Sequence, residues 1–192
     1  MELDKVLFFF RRKDGLSRDE FHEHYLDVHA PLGLRVTVTM DGYIVNLVDS
    51  DSDVDAVTEI WTASVADFFD PSKSFATDED AKTMMTDHDS FIGPYDAYAV
   101  IEKVVQGALP DAALDEVAPG RKVFVRYTDA SAVPSTPAEA VHVVDQSVVQ
   151  NVMPGSPDLA VVRTIWFAPG AAVPDLGGDA LVTREVRKKP PL

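Results

Sequence analysis

The histidine best placed to move a proton is His29, in Tyr25-Leu26-Asp27-Val28-His29-Ala30-Pro31-Leu32. Phe21, Tyr25, Val28 and Leu32 recur at i, i+4, i+7 and i+11, an apolar stripe of helical period. Ser17 and Glu20 have the spacing of a capping box and Leu16 and Phe21 that of a hydrophobic staple, so the helix start is well specified. Pro31 disfavours helical geometry at Ala30, which predicts that the helix stops there with His29 in its last turn. The carbonyls of a helix end favour imidazolium, so the pKa of His29 is expected to rise. An imidazole titrating near neutrality can take a proton from carbon or oxygen and return it. The plainer role is a helix-end histidine bonded to a nearby carbonyl.

Two further groups join His29 as catalytic candidates. His88, in MMTDHDSF, lies near the end of a second predicted helix beside Asp87 and Asp89, either of which would raise its pKa. Glu59 sits mid-strand, where an unpaired carboxylate is costly to bury. It therefore faces solvent, pairs with a base such as Arg11, or sits in a polar cavity. Trp61 shares the face of Glu59 by the period of two, and Tyr43 and Asn46 offer polar groups on the neighbouring strand. With Tyr25, one turn before His29, and Phe8 from the first strand, they form the candidate substrate-binding set.

A metal centre is not expected. On a helix His22 and His24 point about 200° apart, and His22 and His29 lie roughly 10 Å apart. Exposed helical histidines account for them better. The run Asp49, Asp51, Asp53 and Asp55 lacks the central glycine of a calcium loop and reads as a solvated turn. The chain has no cysteine, which excludes thiolate catalysis and disulfides. It holds no G-x-S-x-G elbow, phosphate loop or dinucleotide fingerprint, and Gly177-Gly178 stands alone in a turn-like context. No motif requires a cofactor.

The elements that must carry these residues can be read in order. Lys5–Arg11 is apolar on both faces, so both sides of this strand should be covered. After the first helix come strands around Tyr43–Asp49 and Ala56–Thr62, a short helical segment opened by Ser64, and a loop over Pro71–Ala76. Thr77 caps a second helix that Gly93-Pro94 stops, and a strand over Tyr95–Val105 completes β-α-β-β-α-β, the ferredoxin-like order. Residues 106–120 carry two prolines and read as a linker. The pattern then starts again: Lys122-Val123-Phe124-Val125 echoes Lys5-Val6-Leu7-Phe8, Val148–Val152 echoes the second strand, and Ile165-Trp166 echoes Ile60-Trp61. Thr136, Pro137 and Glu139 predict a short helix toward Val144. The prolines and glycines of 169–178 leave no room for another.

The fold expected is α+β, with residues 1–105 and 121–192 as ferredoxin-like repeats, the second degenerate. Their sheets would face each other in a barrel closed within one chain, with a cavity possible between them. At 192 residues and 46% hydrophobic content the chain can build such a core. Its charge of −15 is uneven, nine Lys/Arg against 22 Asp/Glu in residues 1–105 and eight against ten in the rest. An acidic surface repels phosphate, which argues against nucleic acid and anionic membrane as partners. With no apolar run long enough to span a bilayer and no basic segment ahead of VLFFF, a cytoplasmic location is expected.

KVLFFFRRKDGLSRDEFHEHYLDVHAPLG, TEIWTAS and DHDSFIG together resemble EthD-domain proteins, over about residues 3–105. The HAPL element and the spacing from Asp87 to Phe91 carry most of the likeness. The resemblance implies the dimeric α+β barrel superfamily, in which two ferredoxin-like units pack sheet to sheet, and assigns His29 to the histidine of the HAPL element. The second half has no HAPL equivalent, so the chain would hold one complete site. Relatives include accessory proteins of ether degradation, lyases, cyclases, decarboxylases and cofactor-free oxygenases, and barrel relatives that bind haem leave ligation by His29 or His88 open. Three functions follow as expectations: acid/base catalysis by His29 on an apolar aromatic or oxygenated small molecule between the sheets, ligand binding as an accessory protein, or a dry barrel with no site. A monomer or a homodimer is compatible with each.

Overall fold

Strand β1 (Asp4–Arg12) is apolar on both faces because it lies mid-wall in a closed barrel with helices outside it. The computed structural model describes residues 3–176 and 179–190; the Gly177-Gly178 pair lies outside the described residues. Seven more strands complete the barrel: β2 (Gly42–Val48), β3 (Ala56–Thr62), β4 (Ile92–Gln106), β5 (Arg121–Tyr127), β6 (Ala140–Asn151), β7 (Val161–Phe167) and β8 (Asp179–Lys189). Their order round the wall is β1-β3-β2-β8-β5-β7-β6-β4, closing back on β1, with every pairing between them antiparallel. The first four strands thus stand as 4-1-3-2 and the last four as 8-5-7-6, joined where β2 meets β8 and β4 meets β6.

Alternation sorts each strand's residues to two sides. Leu7, Phe9, Val57, Tyr98, Phe124, Val162 and Leu181 fill the barrel interior from both halves. Val6, Phe8, Phe10, Tyr43, Val45 and Ile60 point outward and meet the helices through Phe21, Tyr25, Ala30 and Phe91. The outer face of the second half is different: Val123, Val125, Val143, Ile165 and Phe167 are covered by Val133, Val173 and Leu176 from loops.

The first helical segment, α1 (Arg18–His24), starts as predicted, with Ser17 and Glu20 in a complete capping box. Its continuation corrects the sequence reading. The helix does not stop at Ala30: one π turn spans Tyr25–His29 and α2 (Ala30–Val36) follows directly, with Pro31 in its first turn. The amide of Ala30 bonds the carbonyl of Tyr25, five residues back. This wider turn gives the ring of Pro31 the room that an α-turn denies it. It also advances the buried face by one residue, so Val28, expected on the apolar stripe, is 45% exposed while His29 is 4% exposed.

The short helical segment expected from Ser64 is α3 (Val65–Phe68), a further short helix, α4 (Pro71–Ser74), occupies part of the expected loop, and α5 (Asp78–Phe91) begins at the Thr77 cap. Gly93-Pro94 falls within β4 rather than ending the helix. The helix predicted from Thr136 toward Val144 is absent; a single 3-10 turn at Ala130–Ala132 precedes β6, whose alternating residues already belong to the barrel from Ala140. Residues of the expected linker lie along β8, where Asp115 and Ala118 donate backbone hydrogen bonds to Arg187 and Glu185. Among the described residues no helix is long and apolar enough to cross a membrane.

Candidate active site

His29 opens onto a cavity of about 300 Å³ between the helices and the outer face of β1, β3 and β2. Phe8, Phe10, Ile60, Phe68, Phe69 and Met84 make its apolar wall, and Tyr25, Tyr43, Thr58, His29 and His88 supply polar groups. The cavity is therefore not the space between the two half-barrels that the sequence reading placed beside His29. The sheet turns one face to each region, and the helix carrying His29 packs on the outer one.

Asp87, on α5, accepts hydrogen bonds from His29 Nδ1 at 2.7 Å and from His24 Nε2 at 2.8 Å. Burial pushes the Asp87 carboxyl up, but these two imidazoles outweigh it and hold its pKa below the ordinary value. A carboxylate only accepts, so the His29 proton sits on Nδ1 and Nε2 carries the lone pair on the cavity side. The pKa of His29 moves opposite to the sequence expectation. With the helix running on there is no free carbonyl end beside the ring, and burial lowers its pKa by more than Asp87 raises it. His29 is thus a neutral, oriented base at physiological pH. Its ring stacks on Tyr25 with centroids 5.1 Å apart.

The hydroxyl of Tyr25 meets Thr58 Oγ1 at 2.5 Å and adjoins that of Tyr43. Burial drives the pKa of Tyr25 up to about 12 and that of Tyr43 well above its usual value, so both remain protonated. His88 stands with its ring 6.1 Å from that of His29 and 5.3 Å from Tyr95. Its Nδ1 is buried without a hydrogen-bond partner among the described residues, at 3.6 Å from Asp89. Burial lowers its pKa, and the nearby His29 lowers it further, so the expected rise from Asp87 and Asp89 is also overturned.

The predicted residues separate into two groups. His29, His88, Tyr25, Tyr43 and Phe8 line the cavity. Glu59, Trp61 and Asn46 point to the other side of the sheet, into the barrel. Glu59 is paired with Lys5 and Lys122 instead of Arg11, which holds Asp53 and Asp96. His22 and His24 are not the exposed residues expected. His22 is buried and donates to the Asp55 carbonyl, while His24 is held by Asp87. Asp55 likewise leaves the solvated turn, being 1% exposed and clamped by Arg12 and Arg18. The sequence reading missed Asp87 as the partner of His29 because the two lie 58 residues apart. Among the described residues no three histidine or carboxylate groups converge as metal ligands. A cavity of this volume, at the small end of ligand pockets, does not fit a porphyrin beside His29 or His88.

The family model for the EthD domain matches residues 13–94. Residues 13–94 form an EthD domain. This domain contains His29, Asp87, His88, Tyr25, Tyr43 and Thr58, and it stops before β5. The whole chain, second half included, is similar to a crystal structure named "putative monooxygenase" from Fusobacterium nucleatum subsp. nucleatum ATCC 25586. That match has a TM-score of 0.55 at 9% identity, covering 97% of this chain and 93% of that one. A structure of the same name from Lactobacillus acidophilus NCFM is 10% identical, with a TM-score of 0.48 and 97% and 96% of the chains covered. At such identity the first match speaks for the fold alone. No curated protein matches the chain.

Proposed function

We propose that the EthD domain is a small-molecule enzyme in which His29 acts as general base on a flat, largely apolar, oxygenated aromatic held between the helices and the sheet. The Asp87–His29 pair carries this reading. A carboxylate fixes one ring nitrogen, the other carries a lone pair at a largely apolar cavity, and the hydroxyls of Tyr25, Tyr43 and Thr58 stand close by. His29 Nε2 takes a proton from a hydroxyl, or from carbon next to a carbonyl, and its own charge is then balanced by Asp87. The electron pair left on the substrate becomes an enolate or phenolate, which the Tyr43 hydroxyl can hydrogen-bond because its high pKa keeps the proton in place. Such an anion leads to elimination, ring closure or reaction with dioxygen, according to the substrate.

The surrounding architecture follows as part of the same reading. Residues 1–105 and 121–192 are two ferredoxin-like repeats joined by residues 106–120, and the second has lost its helices and with them the cavity. One chain closes the barrel, so a monomer carries a complete site.

His29→Ala is expected to reduce turnover of an aromatic substrate drawn from a polyketide-like panel by about 10²–10⁴-fold, the usual worth of a positioned acid or base. Equal turnover by both proteins removes His29 from the chemistry. Binding without turnover in the parent protein, surviving His29→Ala, makes this an accessory binding protein instead.

A further inference from the structure

The end of the barrel interior holds a second arrangement that the histidine cavity does not use. Lys5 donates to Glu59 and Glu102, each at 2.6 Å, and Trp61 Nε1 also donates to Glu102, at 3.3 Å. Across the barrel Lys122 donates to Glu59 and, at 2.7 Å, to Glu185, to which Trp166 Nε1 donates at 3.2 Å. Each ammonium also lies over its own indole, 4.2 Å from the Trp61 ring and 4.5 Å from that of Trp166. Two Lys–Trp–Glu triads, one from each half, thus share a single carboxylate. Burial alone would raise the pKa of Glu59, but Lys122 and Lys5 hold it at about 2.

Beside these triads lies a cavity of about 330 Å³. Both indoles line it together with Ile44 and Val144, and Gly107–Leu109 close it from outside. Gly107 has φ +66°, and a Cβ there would collide with the Val141 carbonyl, so the chain needs glycine to make this turn over the mouth. The two halves differ here, with Thr164 two residues before Trp166 where Glu59 stands two before Trp61. His142 stands opposite Trp166 on the neighbouring strand where Gly42 stands opposite Trp61. His142 is 4% exposed and gives Nδ1–H to the Gln106 carbonyl at 2.9 Å, which leaves Nε2 as an acceptor with no protein partner among the described residues.

We infer that this cavity is a second small-molecule site, separate from the one at His29, for a neutral flat aromatic with one hydrogen-bond donor, a ring of phenol size. The charge balance excludes an ion: Lys5, Lys122 and Arg187 are matched by Glu59, Glu102 and Glu185, and a charged guest would have to break a buried pair. Indole and aliphatic walls favour a ring. His142 Nε2, a polar atom of the lining with no protein partner among the described residues, asks for a donor.

The chain has two tryptophans, and both line this cavity while neither lines the other. Tryptophan emission of the full-length protein is therefore a selective reporter. Titration with phenol is expected to change that emission saturably. His142→Phe, which keeps a ring and removes the acceptor, weakens the apparent affinity roughly five- to tenfold, one net hydrogen bond. His142→Gln restores much of it. Ala108→Phe, in the closing segment, abolishes saturation while circular dichroism and the melting temperature show an intact fold. His29→Ala leaves the titration unchanged, so failure here is distinct from failure of the catalytic reading. A linear, unsaturable response, or saturation that persists equally in His142→Phe and Ala108→Phe, overturns the inference.

Discussion

Inside the barrel the two halves of the chain share a pattern of charged and indole side chains, and outside it they do not. Lys5, Trp61 and Glu102 have counterparts in Lys122, Trp166 and Glu185, and Asn46, opposite Val57, has one in Gln146, opposite Val162. On the outer side, one half carries helices and a cavity with an oriented histidine, and the other carries loops over a continuous apolar cluster. Glu59 of the first half pairs with Lys122 of the second, so the two inner faces constrain each other. The outer faces touch nothing in common and are free to specialise separately. The candidate chemistry sits on the outer face of one half, where the helices are kept.

The sharpest way to break the comparison is at the carboxylate both halves share. Glu59→Ala leaves two ammoniums, 3% and 1% exposed, short of their common partner, and should cost about 3–5 kcal/mol, the usual loss when one member of a buried pair is removed. Urea unfolding of the variant measures it, and a loss under about 1 kcal/mol would show that the halves do not depend on this contact.

Acid should separate the two regions in sequence. His22, His29 and His88 have pKa values lowered by burial, so the unfolded chain binds more protons than the fold between the folded pKa values and 6.5. Their contribution is complete above 6.5 and declines as pH falls through the folded values. Glu59 behaves later, because its contribution persists above 4.5 and is lost as pH falls toward about 2. The urea midpoint should therefore drop between about pH 7 and about pH 5.5, before the interior carboxylates titrate. A flat or rising midpoint over that interval contradicts the burial of these three rings.

The smallest effect tests the fit of the helix over its cavity. A methyl at Gly33 would meet Met84 Cε at 3.5 Å, an ordinary contact, so Gly33→Ala should stabilise α2 by about 0.5–1 kcal/mol while narrowing the pocket by one methyl. A fall in melting temperature would mean that the helix sits closer to α5 than this spacing allows.

Much of the local structure was readable along the chain. The Ser17 capping box, the Thr77 cap, β3 over Ala56–Thr62 and the echo of Lys5 and Trp61 in Lys122 and Trp166 are statements about neighbours in sequence or about period, and the structure repeats them. The continuation past Pro31 was not readable, because a π turn has a period that the apolar stripe does not announce. The helix proposed after Thr136 failed for the opposite reason. Its cap and proline were present, but residues from Ala140 were already committed to pairing with β7 and β4. Side-chain chemistry alone puts Glu59 and His29 in one candidate set, and their separation depends on which side of the sheet the helix packs.

By itself the sequence determined the caps, the strand periods and the presence of a histidine inside the HAPL element, since each follows from side chains a few residues apart. Only the tertiary structure decided that Asp87 would orient that histidine, that Glu59 would join two lysines from different halves, and that two cavities would lie on opposite sides of one wall. These depend on contacts between residues 54 to 63 positions apart, whose geometry closure of the barrel sets and no local period encodes.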